Sequence, residues 1–244
     1  MENGIEHVCG LVEPQVQKPL LPGKPQCVTQ PLTGSTDKML EMRLLIATSN
    51  PGKFREIKEG LAPLGWTLFS LLDYPFKMPP EEGSTFEDNA VLKAAFAAKH
   101  SGMPTLADDS GLEVVILGGE PGVYSARYGN KKTDTERNVY LLERLKGIPI
   151  GERKAKFVAV VVIAYPDGYM ELYRGETEGE ILEAPRGEWG FGYDPLFYLP
   201  EAGKTFAEMP IEQKATYSHR GKALRMLVEA HKYGLPRKEQ PIQE

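Results

Sequence analysis

The chain has 244 residues, 41% of them hydrophobic, and a formal net charge of −5, which suits one large domain with a real core or two small ones. The acidic balance argues against a nucleic-acid binder, which carries a basic face, though not against a nucleotide ligand, for which a few local cations suffice. No apolar run approaches the roughly 20 residues of a membrane helix. The two cysteines, Cys9 and Cys27, fit neither a disulfide framework nor a zinc pattern, so a reducing, cytoplasmic setting is expected.

Residues 1–41 carry scattered prolines, both cysteines and no sustained periodicity, the pattern of a disordered extension. Met39 or Met42 is a candidate for the natural start. A globular domain is expected over residues 42–236, with a flexible tail at 237–244. Arg43–Thr48 is an apolar run suited to a buried strand. Pro51–Leu64 places Phe54, Ile57, Leu61 and Leu64 at helical spacing, and Trp66–Leu71 reads as a second strand. Ser84-Thr-Phe-Glu87 is a capping-box pattern opening an alanine-rich helix to about Ser101.

The run Met103–Ala107 then predicts a short strand that ends at the pair Asp108-Asp109. Neighbours on a strand point to opposite faces, so both carboxylates serve one site only if the strand stops. A turn at Ser110-Gly111 provides the stop and leaves at least one carboxylate at a strand end, where open α/β sheets bind ligands. The same residues also suit an ordinary surface turn. A further strand is expected over Gly111–Leu117. Thr133-Asp-Thr-Glu136 is a second capping box, opening a helix to about Lys146. Two long strands follow, Lys154–Tyr165 and Tyr169–Ile181, joined by the hairpin signal Pro166-Asp-Gly168. A short strand at Pro195–Tyr198 and an amphipathic helix over His219–Lys232 complete a mixed α/β fold.

Several segments carry chemistry. Thr48-Ser49-Asn50-Pro51-Gly52-Lys53 joins the first strand to the first helix. Pro51 suits the first helical position, Ser49 or Asn50 can cap it, and free N–H groups there with Lys53 would bind an anion. A plain cap with an exposed lysine fits equally well. Asn89 and Lys93 share a helix face, so Lys93 either snorkels to solvent or meets a phosphate. Glu81 and Glu82 with Asp108 and Asp109 supply enough oxygens for a hydrated Mg²⁺. Arg127 lies on a glycine-bounded loop. Trp189-Gly-Phe191-Gly192-Tyr193-Asp194 interleaves glycines with rings, as a nucleobase pocket or a buried aromatic turn would. Lys214 and Ser218-His219-Arg220 could read the polar edge of a base or simply cap the last helix.

In order, Thr48–Lys53, Thr85–Lys93, Ala107–Gly111, Pro121–Arg127, Gly190–Pro195 and Ser218–Gly221 closely resemble the motifs of the inosine triphosphatase family of nucleoside-triphosphate pyrophosphatases. The resemblance spans about Arg43 to Leu235. It implies two lobes around a central cleft, a homodimer, and Mg²⁺-dependent hydrolysis of ITP, dITP or XTP to the monophosphate and pyrophosphate. It also implies Asp109 as the base that activates water, and Asp109, Glu81 and Asp108 as metal ligands. Thr48 to Lys53, Lys93 and Arg127 would hold the triphosphate, and Ser110 a substrate oxygen. Phe191, Gly192, Tyr193 and Asp194 would hold base and sugar, with Lys214, His219 and Arg220 donating to a 6-oxo group. A pyrophosphatase for modified pyrimidine nucleotides would share the chemistry with another base pocket. Asp108, Asp109 and Glu81 together with Lys53 and Lys93 argue against an idle nucleotide sensor.

Overall fold

The computed structural model describes residues 42–233; the expected extension at 1–41 and tail at 237–244 lie outside them. The elements are β1 (Arg43–Ile46), α1 (Pro51–Leu61), β2 (Thr67–Ser70), α2 (Phe86–Ser101), β3 (Thr105–Val114), α3 (Asp134–Arg144), β4 (Lys154–Ala164), β5 (Met170–Ile181), β6 (Phe197–Leu199), β7 (Lys204–Thr205), α4 (Ile211–Tyr217) and α5 (His219–His231). The mixed α/β expectation holds. One seven-stranded sheet runs β2-β1-β3-β4-β5-β6-β7, parallel among β2, β1 and β3 and antiparallel from β3 onward. The two-residue β7 and seven-residue α4 were not anticipated from sequence, nor were the 3-10 turns over Gly122–Asn130. No helix among the described residues is long and apolar enough to cross a membrane.

Periodicity explains the layering. Ile57 and Leu61 of α1 pack with Ala223, Leu224 and Leu227 of α5 over Leu44, Ile46, Val161 and Ile163. On the opposite face, the small residues Ala90, Ala94 and Ala97 bring α2 close to Leu45, Val158, Val160 and Val162. A third cluster joins Leu141 of α3 and Leu145 just past its end to Leu112, Phe157, Phe197 and Phe206 at the far end of the long strands. Each fully buried leucine or valine here contributes about 1.5–3 kcal/mol. Helix α5 sits tight against β5 at Gly175, where a Cβ would overlap the carbonyl oxygen of His219 and lie 2.7 Å from the amide of Ala223.

The expected turn at Ser110-Gly111 does not form. β3 is one unbroken strand, paired with β4 from Thr105↔Ala164 to Val114↔Ala155. The continuous ladder overrides the turn preference of Asp, Ser and Gly, because each rung satisfies backbone groups that a turn would leave buried. Only Thr105 and Leu106 pair with β1, which ends at Ile46. Beyond them no described strand pairs with the β1-facing edge of β3; side chains take it up instead, Lys93 Nζ donating to the Asp108 carbonyl at 2.9 Å and Ser125 Oγ, in the 3-10 turns, accepting the amide of Leu112 at 2.9 Å.

Candidate active site

A cleft of about 540 Å³ opens at this stretch of edge. Asp108 and Asp109 do point to opposite faces, yet both line the cleft, because it wraps around the strand edge rather than lying on one face. The strand therefore did not have to stop for both carboxylates to serve one site.

On one face Asp108 is fully buried between cations. Lys53 Nζ of α1 lies 2.7 Å from Oδ1, and Arg220 of α5 donates to both oxygens at 3.2 and 3.3 Å. Burial alone would favour the neutral acid, but Arg220 and Lys53 outweigh it and hold the carboxyl well below the usual carboxylate range. Burial in turn pushes the Lys53 ammonium down. Ser110 Oγ completes this side, accepting from Arg220 at 2.7 Å.

On the other face Asp109 meets α2. Lys93 Nζ lies 2.9 Å from Oδ1, and Asn89 Nδ2 donates to Oδ2 at 3.3 Å. Lys93 also reaches Glu81 Oε1 at 2.7 Å and the Asp108 carbonyl at 2.9 Å. Burial pushes the Asp109 carboxyl up, further than Lys93 and Lys53 pull it down. Two adjacent aspartates are thus driven in opposite directions, the pattern that separates a permanent anion from a group able to exchange a proton.

One ammonium bridges Glu81 and Asp109, so both carboxylates lie within reach of a single cation. Mg²⁺ typically takes one or two carboxylates together with substrate phosphates, and this pair fits that need. The expected set of three does not form: among the described residues no three His, Cys, Asp or Glu side chains gather as a metal site. Asp108 spends its oxygens on Lys53, Arg220 and Ser110.

The far end of the cleft is aromatic and cationic. Phe191 lies below Lys214 and Arg220, whose charged atoms stand 4.8 and 5.7 Å from its ring centre. Lys214 pairs with the buried Asp194 and, at 2.6 Å, with Glu56 of α1; Glu56 also pairs with Arg220. The His219 ring stacks on Phe157 at 4.6 Å. Burial, reinforced by Arg220, pushes His219 well below the usual imidazole range, so the ring is neutral at pH 7. Its Nδ1 atom is buried with no hydrogen-bond partner.

A sequence model of the Ham1 family matches residues 44–230. The chain belongs to the Ham1 family. Among its relatives is a dITP/XTP pyrophosphatase of Thermus thermophilus, 69% identical over 198 residues, covering 81% of this chain and 96% of that protein. The dITP/XTP pyrophosphatase of Deinococcus radiodurans is 54% identical, covering 83% and 98%. Among solved structures, a HAM1 protein from Coxiella burnetii superposes with a TM-score of 0.71 at 39% identity, covering 78% of this chain and 98% of that one.

In this Ham1 chain the cleft gathers Thr48, Ser49, Asn50, Lys53, Glu81, Lys93, Ser110, Arg127, Phe191, Gly192, Tyr193, Asp194, Lys214, His219 and Arg220 around the two aspartates. Pro51 and Gly52 are not in its lining. Pro51 takes the first helical position. Gly52 instead seats Phe191, since a Cβ there would overlap the ring. The expected free amides at the start of α1 are also largely taken. Asn50 caps the helix, and its Oδ1 accepts from Gly52 and Lys53 at 2.8 and 3.1 Å. Tyr193 serves an anchoring contact, donating its hydroxyl to the Ser125 carbonyl at 2.9 Å. Sequence reasoning missed Glu56, Asp134 and Arg137. Glu56 follows Lys53 by three positions on one helix face, which was the available signal.

Proposed function

We propose that the protein is a nucleoside-triphosphate pyrophosphatase acting on non-standard purine nucleotides such as ITP, dITP and XTP. The observation that carries this reading is the pair of adjacent carboxylates, Asp108 at 2.7 Å from Lys53 and Asp109 at 2.9 Å from Lys93, lining one cleft with an aromatic pocket under Lys214 and Arg220. The relatives named above carry the corresponding activity in their names.

In this reading Asp109 accepts a proton from water as the water oxygen attacks the α-phosphorus. The bond from that phosphorus to the bridging oxygen breaks, and pyrophosphate leaves with the electron pair. Lys53, Lys93 and Arg127 stabilise the charge that spreads over the phosphate oxygens. Thr48, Ser49 and Asn50 border the triphosphate, and Ser110 holds one substrate oxygen. Glu81 and Asp109 would hold Mg²⁺, which supplies charge neutralisation on the phosphates. Asp108 keeps Lys53 and Arg220 in place rather than binding metal.

Phe191 stacks on the base, and Lys214, His219 and Arg220 face its 6-position. A 6-oxo group accepts their hydrogen bonds. The amino group of adenine leaves buried donors unpaired, which discriminates strongly. The decisive experiment measures pyrophosphate released from ITP, dITP, XTP, GTP, ATP and dUTP with Mg²⁺. Preference for ITP and XTP supports the reading, preference for dUTP supports a pyrimidine enzyme, and hydrolysis of none overturns it. The homodimer implied by the family resemblance is checked by light scattering during size exclusion.

A further inference from the structure

The loop that carries Phe191 turns on two glycines. Gly190 and Gly192 both sit in the left-handed region, at φ +77° and +62°. Within the loop, Asp194 Oδ2 accepts the Phe191 amide at 2.9 Å. The Phe191 carbonyl accepts the Asp194 amide at 3.2 Å and the Trp189 amide donates to the Ala207 carbonyl at 3.0 Å, whereas both polar groups of Gly192 are held from α3. Asp134 Oδ2 accepts the amide of Gly192 at 2.6 Å, and Asn138 Nδ2 donates to the carbonyl of the same Gly192 at 3.1 Å. Positions 134 and 138 stand four apart, so both arms project from one helix face. Asp134 is further fixed by Arg137, which also donates to the Lys131 carbonyl at 3.1 Å. The other end of α3 is anchored in the core by Leu141, with Leu145 at its C-cap.

We infer that Asp134 and Asn138 are positioning residues for base discrimination: by clamping both polar groups of Gly192, α3 sets where the Phe191 ring stands beneath Lys214 and Arg220. The inference rests on the pyrophosphatase reading above. Two features support it. The Asn138 Oδ1 atom is buried without a partner, so the amide is a poor filler and its bond to Gly192 is what it supplies. Asp134 and Arg137 also border the cleft, which places the clamp beside the ligand rather than behind the core. A ring that drifts loosens stacking on the favoured purine, while the disfavoured purine, already mismatched at its 6-position, loses less.

The test compares kcat/KM for ITP and ATP in Asp134→Ala, Asn138→Leu and Asp134→Asn, with circular dichroism to confirm folding. Loss of one clamp bond is expected to lower the ITP-over-ATP ratio about fivefold, mainly through KM for ITP. Asp134→Asn keeps an acceptor for the Gly192 amide and is expected to restore the ratio to within about twofold. A merely structural role lowers both substrates together and leaves the ratio alone; that result in folded Asp134→Ala and Asn138→Leu overturns the inference. If those two do not fold, Gly192→Ala strains the same peptide from the loop side, and an unchanged ratio there overturns it equally. An unmodified protein that hydrolyses no nucleotide removes the pyrophosphatase reading instead.

Discussion

Lys93 Nζ and Asp109 Oδ1 stand 2.9 Å apart, in a buried ion pair whose carboxyl is nevertheless pushed toward its neutral form. Burial and the neighbouring Glu81 outweigh the ammonium. Asp109→Asn is therefore expected to lower kcat by about 10²–10⁴-fold, the usual worth of a positioned base. Nucleotide binding measured by calorimetry with Mg²⁺ stays within a few-fold of native. Near-native turnover would remove Asp109 from the base role.

The same shift sets the acid side of the pH profile. As the proposed base Asp109 works ionised, and its carboxyl is raised above the ordinary aspartate value of about 3.9. The kcat/KM against pH curve should fall on its acid limb above that value. A raised acid contributes stability below its unfolded pKa and loses it as pH rises through the folded one. At neutral pH the charge thus opposes folding, and Asp109→Asn should melt no lower than native by calorimetry. A clearly lower melting temperature would contradict that sign.

Asp108 has the opposite linkage. Its carboxyl is depressed, so its contribution is complete above about pH 4 and is lost as pH falls below that toward the folded value. Asp108→Asn leaves Lys53 and Arg220 short of a buried partner and is expected to cost about 3–5 kcal/mol at pH 7 in denaturant titrations. The gap between variant and native should narrow below pH 4. A constant gap would assign the loss to packing.

Gly175→Ala tests the seat of α5. The added methyl meets the backbone of His219 and Ala223, which have no rotamer to yield. A loss of about 1–3 kcal/mol is expected, with weakened ITP binding because His219 and Arg220 shift together. Native stability would show that the helix moves freely.

Chelation of divalent ions should abolish pyrophosphate release, and Mg²⁺ should restore it. Glu81→Gln removes one of the two carboxylates reached by Lys93, so its half-saturating Mg²⁺ concentration should rise about tenfold or more, as for loss of a ligand or its support. An unchanged Mg²⁺ requirement would place the metal elsewhere.

Much of the fold was legible because its signals are local. The capping box at Thr133 and the alanines of α2 mark helices wherever they occur, while the box expected from Ser84 and Glu87 forms one position later, between Thr85 and Asp88. β3 was misread because its continuity is decided by ten pairings with β4, a strand about 50 positions away. The sequence shows the turn preference of Ser110-Gly111 and cannot show the ladder that defeats it. Glu56 drew no notice in the sequence because Arg220, one of its partners, lies 164 positions further on. The cations and rings of the site were found as motifs, whereas Gly52 was assigned to phosphate when its missing side chain makes room for Phe191.

The ladder beneath the two aspartates also separates two functions by their thermal resilience. Residues in the middle of a paired sheet open only near global unfolding, while glycine-hinged loops loosen first. In the proposed reading, chemistry belongs to the sheet and recognition to the loop bearing Phe191. On warming, this protein should become indiscriminate before it becomes inactive, and changes in its choice of base can accumulate in the loop and α3 without moving the carboxylates of β3.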